Sequence, residues 1–104
     1  MHWGKSNTLI RHARDHAPDF GLDPNDIEGY AQKATTWMQE ALGDAGVWRK
    51  TDKNGSTLMY DPIENIFGAF DKNWGTKTFY KPDAPNNGYP TNIDYWEGQR
   101  GDGW

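Results

Sequence analysis

Apolar residues recur every three or four positions in the first part of the chain, which predicts two helices. Ser6 and Asn7 are suitable N-caps and Pro18 is a helix breaker, so the first helix is expected at about residues 7–17. Asp23 as N-cap and Pro24 as the first helical residue predict a longer helix at about residues 24–42. Its predicted buried face consists of Ile27, Tyr30, Ala31, Ala34, Trp37, Met38, Ala41 and Leu42.

From Val47 onward the period changes to two, which is typical of strands. The predicted strands are Val47–Thr51, Ser56–Tyr60, Ile66–Phe70 and Thr76–Lys81, and Asn54-Gly55 indicates a hairpin turn between the first two. Short connections favour an antiparallel meander, with one face on the long helix and the other open to solvent or ligand. We therefore expect a single α+β domain over residues 1–104, with two amino-terminal helices packed on a sheet at about residues 47–81.

The remainder, residues 82–104, is rich in Pro, Asn and Gly. It is expected to be an ordered loop, followed by one short turn or strand between Asn92 and Trp96 and a fraying end after Gly98. Trp96 is expected to seal a small core.

Composition restricts the class of protein. Six Trp, five Tyr and four Phe supply large rings for one modest core, and the absence of cysteine excludes disulfides, thiolate metal sites and a cysteine nucleophile. No apolar run approaches the roughly 20 residues of a membrane span, and the amino terminus lacks the pattern of a signal peptide. If the domain crosses a membrane, another part of a longer protein is expected to carry it.

The formal charge of −4 counts against nucleic-acid binding by the surface as a whole. Basic residues are nevertheless grouped, because the stretches Lys5–Arg14 and Lys72–Lys81 contain three cations each and no acid. The pattern allows a basic cleft in an acidic body, whose remaining surface could face a protein partner.

His12 and His16 are the main candidates for chemistry near neutral pH. Four residues apart on a helix, they lie on one face, with Arg11 and Arg14 nearby. The same spacing suits zinc, but HExxH is absent and no third histidine stands in a recognisable ligand position, so neither a metal nor another cofactor is expected. The simplest alternative is that one imidazole only stabilises the helix by a hydrogen bond.

The fourth predicted strand offers hydroxyls on one face and lysines on the other. Thr76, Thr78 and Tyr80 alternate with Lys77, Phe79 and Lys81, so either face could contact a phosphate. Tyr95 could stack a base. An ordinary amphipathic strand explains the same pattern.

These residue types suit metal-free RNA cleavage, in which a base takes the proton of the ribose 2′-OH and cations stabilise the phosphoryl oxygens. The candidate catalytic residues are His16, His12, Lys77 and Thr78, and the candidate substrate-binding residues are Arg11, Arg14, Thr76, Lys81 and Tyr95. The alternative is a non-enzymatic module that binds a basic protein and has structural histidines.

Four patches, in this order along the chain, carry a resemblance to a known family. They are Trp3-Gly4 with Leu9; His12–Gly21, ending in Asp19-Phe20-Gly21; Tyr60-Asp61-Pro62 with Asn65–Gly68; and Thr76–Asp83 followed by Gly88–Asn92. Together they resemble the carboxyl-terminal toxin domains of bacterial contact-dependent inhibition, Rhs and related effectors. Such domains are similar to the barnase, EndoU, colicin and RelE superfamily of RNases.

The resemblance implies that the amino-terminal helices precede a four-stranded antiparallel sheet whose concave face holds the active site. It also implies a cytotoxic endoribonuclease, often directed at tRNA, delivered by a secreted or surface effector into the cytoplasm of a rival cell. The expected partners are RNA and a cognate immunity protein, with no membrane, and the domain is expected to be a monomer. Carried over onto this sequence, the participants are His16, with His12 as second candidate, and Lys77 and Thr78.

Overall fold

The computed structural model describes residues 3–4 and 6–99 and the side chains of all of these except Ser6. The helices are α1 (Ser6–His16), α2 (Ile27–Leu42) and α3 (Asn92–Gly98), and a 3₁₀ turn at Ala17–Phe20 follows α1 directly. The strands are β1 (Trp48–Thr51), β2 (Thr57–Asp61), β3 (Ile66–Phe70) and β4 (Thr76–Tyr80). The predicted fraying end after Gly98 falls largely on residues 100–104, and Lys5 of the predicted basic stretch is also outside the described residues.

The four strands form one antiparallel sheet in the order β1-β2-β3-β4. Each begins and ends within one residue of its predicted position, and the α+β class is confirmed. The first helix also matches its prediction closely, because Pro18 diverts the chain into the 3₁₀ turn instead of a further α-helical turn.

The second helix begins three residues later than predicted. Asp23 accepts a hydrogen bond from the backbone of Asn25 and closes a turn of its own (2.8 Å). Asp26 is the true N-cap, and its carboxylate accepts from the N–H of Gly29 (3.0 Å). Asp23 and Asp26 are both suitable caps three residues apart, and each forms a local hydrogen bond, which explains why the start of the helix was misplaced.

The predicted apolar face of α2 forms the core on one side of the sheet. Tyr30, Ala31, Ala34, Met38 and Ala41 are buried, and the remaining members of that face are half-buried. The hydroxyl of Tyr30 donates to the carbonyl of Phe79, which ties α2 to β4. Phe79 in turn stacks on Phe20, with ring centroids 4.1 Å apart.

The opposite face of the sheet is covered as well, which corrects the expectation of a face open to solvent. A third helix, α3, stands where a short turn or strand was expected, and Tyr95 and Trp96 pack there against Tyr60 and Phe67. Thr91 caps this helix by accepting from the N–H of Asp94 (3.1 Å). The large rings on this side of β2 and β3 would otherwise be exposed to water, so α3 completes a second core, and Trp96 seals it as predicted.

Candidate functional site

A cavity of about 470 Å³ lies where α1 and the 3₁₀ turn meet the end of β4 and the loop after that strand. We call it the histidine pocket. Its lining residues are Arg11, His12, Asp15, His16, Asp19, Thr78, Tyr80, Lys81, Pro82, Asp83, Asn87 and Tyr95. Of the nine candidate residues named from the sequence, six therefore meet here: Arg11, His12, His16, Thr78, Lys81 and Tyr95.

His12 forms the inner wall of the pocket and is only 5% exposed. Its Nδ1 lies 3.2 Å from the hydroxyl of Thr78, and a guanidinium nitrogen of Arg11 lies 3.4 Å from its Nε2. A guanidinium has only donors, so Nε2 accepts and the proton of the neutral ring is assigned to Nδ1, which donates to Thr78. Burial, then the charges of His16 and Arg11, lower the pKa of His12 to about 4, against the opposing effect of Asp15.

His16 stands one helical turn further and reaches the open part of the pocket. Its side chain is 28% exposed and stacks on Tyr80, with centroids 4.8 Å apart. Burial lowers the pKa of His16 below its ordinary value, while Asp19 and Asp15 counteract part of that effect. At neutral pH this imidazole is therefore largely unprotonated and accessible, as a general base must be.

Asp19 places a carboxylate beside His16. Its Oδ2 accepts from the backbone N–H of Lys81 (3.2 Å) and lies 3.9 Å from Nδ1 of His16. The 3₁₀ turn puts Asp19 there, because it continues the α1 path for four residues before Gly21 reverses it at φ 73°. The sequence indicated Asp19 only as a possible hydrogen-bond partner of a structural histidine and not as a site residue, although a carboxylate three residues after a helical histidine is a recognisable signal.

The charges around the pocket are mixed. Arg11 and Lys81 are the cations, and Asp15, Asp19 and Asp83 are the carboxylates. Two cations beside a neutral imidazole can stabilise one phosphoryl group, but the pocket has no surplus of positive charge to attract a polyanion.

Three candidate residues lie outside the lining of the histidine pocket. Thr76 is fully buried near the other end of β4, and its hydroxyl has no hydrogen-bond partner among the described residues. Arg14 is exposed on α1 but does not line the pocket. Lys77 donates from Nζ to the hydroxyl of Ser56 (3.2 Å), at the turn between β1 and β2.

A bulge at Lys77 interrupts the alternation that the sequence predicts for β4. Ala69 pairs with Thr78, but its neighbour Phe70 pairs with Thr76, so Lys77 is an extra residue in β4. Strict alternation would place Thr76 and Thr78 on one face, but they pair with Ala69 and Phe70, which are neighbours in β3 and point to opposite faces. The extra residue breaks the period of two that the sequence prediction assumed.

An aromatic wall closes the side of the pocket nearest to α3. Tyr80 meets Tyr95 edge to face at 6.1 Å, and Tyr95 meets Tyr89 in the same way at 5.3 Å. Tyr95 is 8% exposed, so its ring forms part of the pocket wall and has little free surface on which a base could stack. The pocket also has lining residues that were not among the candidates, including Tyr80, Asp83 and Asn87. Asp83 and Asn87 reach the pocket only because of the path of the loop after β4.

The described side chains form no group of three or more His, Cys, Asp or Glu residues that could hold a metal ion. None of the helices described combines the length and apolarity needed to span a bilayer.

No protein-family model matches the sequence, and a search of curated proteins found no match either. The function must therefore be inferred from the chemistry of the pocket.

Proposed function

We propose that the protein is a metal-independent endoribonuclease and that the histidine pocket is its active site. The observation that carries the proposal is the state of His16: an accessible imidazole, largely neutral at pH 7, in a cavity that also contains Arg11 and Lys81. A base and two cations within one small cavity are the groups that attack by a ribose 2′-OH requires.

In this mechanism His16 takes the proton of the 2′-OH, and the oxygen attacks the adjacent phosphorus. The carboxylate of Asp19 stabilises the imidazolium that forms. Arg11 and Lys81 stabilise the phosphoryl oxygens, and the ammonium of Lys81 gives a proton to the departing 5′-oxygen, because a guanidinium keeps its protons. The products are a 2′,3′-cyclic phosphate and a free 5′-hydroxyl.

His12 serves this site as a positioning residue. Its Nδ1–H donates to the Thr78 oxygen, so the hydroxyl proton of Thr78 is available to donate to a phosphate in the pocket. With a pKa of about 4, His12 remains neutral over the pH range in which His16 works.

We also propose the biological setting that the family resemblance implies. The domain is a toxin with a barnase- and EndoU-like arrangement, carried into rival bacteria by a larger effector and blocked by an immunity protein in the producing cell. tRNA is the proposed substrate. The order of elements, with α1 and α2 before a four-stranded antiparallel sheet, supports this assignment.

One observation favours a second candidate function. Asp15, Asp19 and Asp83 form an acidic rim that would suit a basic side chain of a protein partner. In that case the protein is a binding module and its histidines are structural.

The test is to incubate the purified protein with total tRNA in EDTA between pH 5 and 9. We expect cleavage by the wild-type protein and by Gln39→Ala, a control on the exposed side of α2, and no cleavage by His16→Ala. Intact RNA over the whole range would refute the proposal. Growth inhibition on cytosolic expression separates the two candidates, because a binding module does not need His16 to stop growth.

A further inference from the structure

Two turns that both begin Asp-Lys-Asn lie side by side at the end of the sheet away from the loop that closes the histidine pocket. The first is Asp52-Lys53-Asn54-Gly55-Ser56, between β1 and β2, and the second is Asp71-Lys72-Asn73-Trp74-Gly75, between β3 and β4. A Cβ built on Gly55 would lie 3.3 Å from Cβ of Lys72, so the two turns are in contact. We call them the paired turns.

The paired turns share one hydrogen-bond pattern. In each, a carboxylate oxygen of the aspartate accepts from the backbone N–H groups two and four residues later, at distances of 2.8 and 2.9 Å. The aspartates are thus occupied with holding the turns. Lys53, Asn54, Lys72 and Asn73 are exposed at matching positions.

Positive charge is concentrated here. Lys50 lines a second cavity of about 470 Å³ together with Lys53, and Lys77 bonds to Ser56 at the edge of the first turn. Burial tends to raise the pKa of Asp52, but the N–H groups of Ser56 and Asn54 and the charge of Lys77 hold it below its ordinary value.

The charge balance differs from that of the rest of the chain. The paired turns and these neighbours contain four of the eleven Lys and Arg residues and only two of the fifteen acids. This end of an acidic protein is therefore basic, whereas the histidine pocket has more carboxylates than cations.

Trp74 supplies a second, independent observation. The fourth position of each turn has a left-handed backbone, which glycine adopts without strain in the first turn (Gly55, φ 84°). In the second turn the same position is Trp74, at φ 65°, and the residue is 41% exposed. A bulky residue therefore keeps a strained conformation while part of it stays exposed, and such strain is typical of functional positions.

We propose that the paired turns bind single-stranded RNA, with Lys53 and Lys72 on phosphates and Trp74 stacked on a base. The inference rests on the proposed ribonuclease function, which it deepens by locating the contacts that hold the RNA while the histidine pocket cleaves it. Exposed lysines and a partly exposed indole on two touching turns supply the groups that contact the phosphates and bases of a single strand. An acidic polypeptide offers charge but no bases to stack on Trp74.

The experiment measures fluorescence anisotropy of a labelled 12-nucleotide 2′-O-methyl oligouridylate, which lacks the attacking hydroxyl and cannot be cleaved. Lys53→Gln/Lys72→Gln should bind about tenfold more weakly at ~0.1 M salt, with a salt slope smaller by about 1.4, since each single-strand phosphate contact contributes about 0.7. Lys33→Glu, on the exposed side of α2, changes net charge by the same amount and should bind like wild type. Lys53→Arg/Lys72→Arg should retain binding.

Trp74→Gly provides a test that a structural role cannot imitate. Relief of the left-handed strain should offset part of the packing lost with the indole, so the melting temperature should change by only a few degrees, while loss of a stacked base should weaken binding about tenfold. Equal binding by the double glutamine variant and Lys33→Glu would overturn the inference. So would equal weakening of binding to a labelled polyglutamate of the same length, which would assign the surface to an acidic protein.

The ribonuclease function of the histidine pocket and RNA binding by the paired turns can be refuted independently of each other. If the wild-type protein binds the uncleavable strand through the paired turns but leaves tRNA intact, the ribonuclease assignment is wrong and the binding surface stands. If tRNA is cleaved but the double variant binds and cleaves like wild type, the pocket stands and the paired turns do not.

Discussion

Asp19→Asn is the substitution that most directly tests the proposed role of His16. It removes one negative charge 3.9 Å from Nδ1 of the imidazole and leaves an amide oxygen able to accept from the N–H of Lys81. The shape of the pocket is therefore kept while its charge changes. Since the carboxylate raises the pKa of His16 in the folded protein, the variant should lower that pKa further.

The size of the shift follows from distance and exposure. Two unit charges about 4 Å apart interact by about 1 kcal/mol in water, and exposed ion pairs contribute about 0.2–1 kcal/mol. His16 is 28% exposed and Asp19 33%, so water screens most of the attraction. At about 1.4 kcal/mol for each pH unit, the pKa of His16 should fall by about half a unit.

The assay is the pH dependence of kcat/KM on a short fluorogenic RNA in EDTA. A general base works when deprotonated, so the acid limb of the profile reports the pKa of His16 in the free protein. In Asp19→Asn this limb should move about half a unit toward lower pH. NMR titration of the His16 ring gives a second measurement that does not need activity, with the ring of His12 as an internal reference.

Two results would refute the reasoning. An unchanged acid limb together with an unchanged His16 titration would show that Asp19 does not act on the imidazole. A shift of the NMR titration without a shift of the rate profile would show that the base in the reaction is a different group.

Three further predictions concern the pocket and the core. His16→Ala should abolish RNA cleavage while changing the free energy of unfolding by about 1 kcal/mol or less, the size of a ring contact such as that with Tyr80, as measured by urea titration. Burial lowers the pKa of His12 from 6.5 to about 4, so the folded protein favours the neutral ring. The stability that this contributes is fully present above pH 6.5 and is lost as the pH falls toward 4. His12→Gln should therefore reduce the loss of stability between pH 7.5 and 4, relative to wild type, by about 3 kcal/mol, and equal slopes in calorimetry would contradict this. Phe79→Ala should destabilise the protein by about 3–5 kcal/mol, because Phe79 is fully buried against Phe20, and a loss below about 1 kcal/mol would show that this core is loosely packed.

Much of the fold could be predicted because local signals agree with the tertiary structure. The apolar face of α2 and the alternation in the strands each correspond to one side of a packed layer, so periodicity alone located them. The third helix could not be located in this way. Its seven residues are too few to show a period, and Tyr95 and Trp96 are helical because rings on β2 and β3 need a cover.

The candidate site, like the fold, could be predicted from the sequence only in part. His12 and His16 were predicted from their spacing, and the structure places both at one pocket with Thr78. Lys77 lies outside the lining of the pocket and donates to Ser56, and a bulge at this residue breaks the alternation that was assumed for β4. The places of Asp19 and Tyr80 beside His16 were not predicted, because they depend on the 3₁₀ turn and on the stacking of a ring from another element, which period counting does not detect.

The two histidines also show why residue spacing does not assign chemical roles. They lie one turn apart on the same face of α1, with rings 5.8 Å from each other, yet only one can exchange protons readily near neutral pH. His12 points against the sheet, where Thr78 and Arg11 engage both ring nitrogens and burial keeps the ring neutral. His16 lies beyond this contact, partly in water and beside Asp19. A shift of α1 by four residues, about one turn, along its axis would bring His16 to the buried position that His12 occupies, so the docking of α1 on β4 decides which imidazole is available as a base.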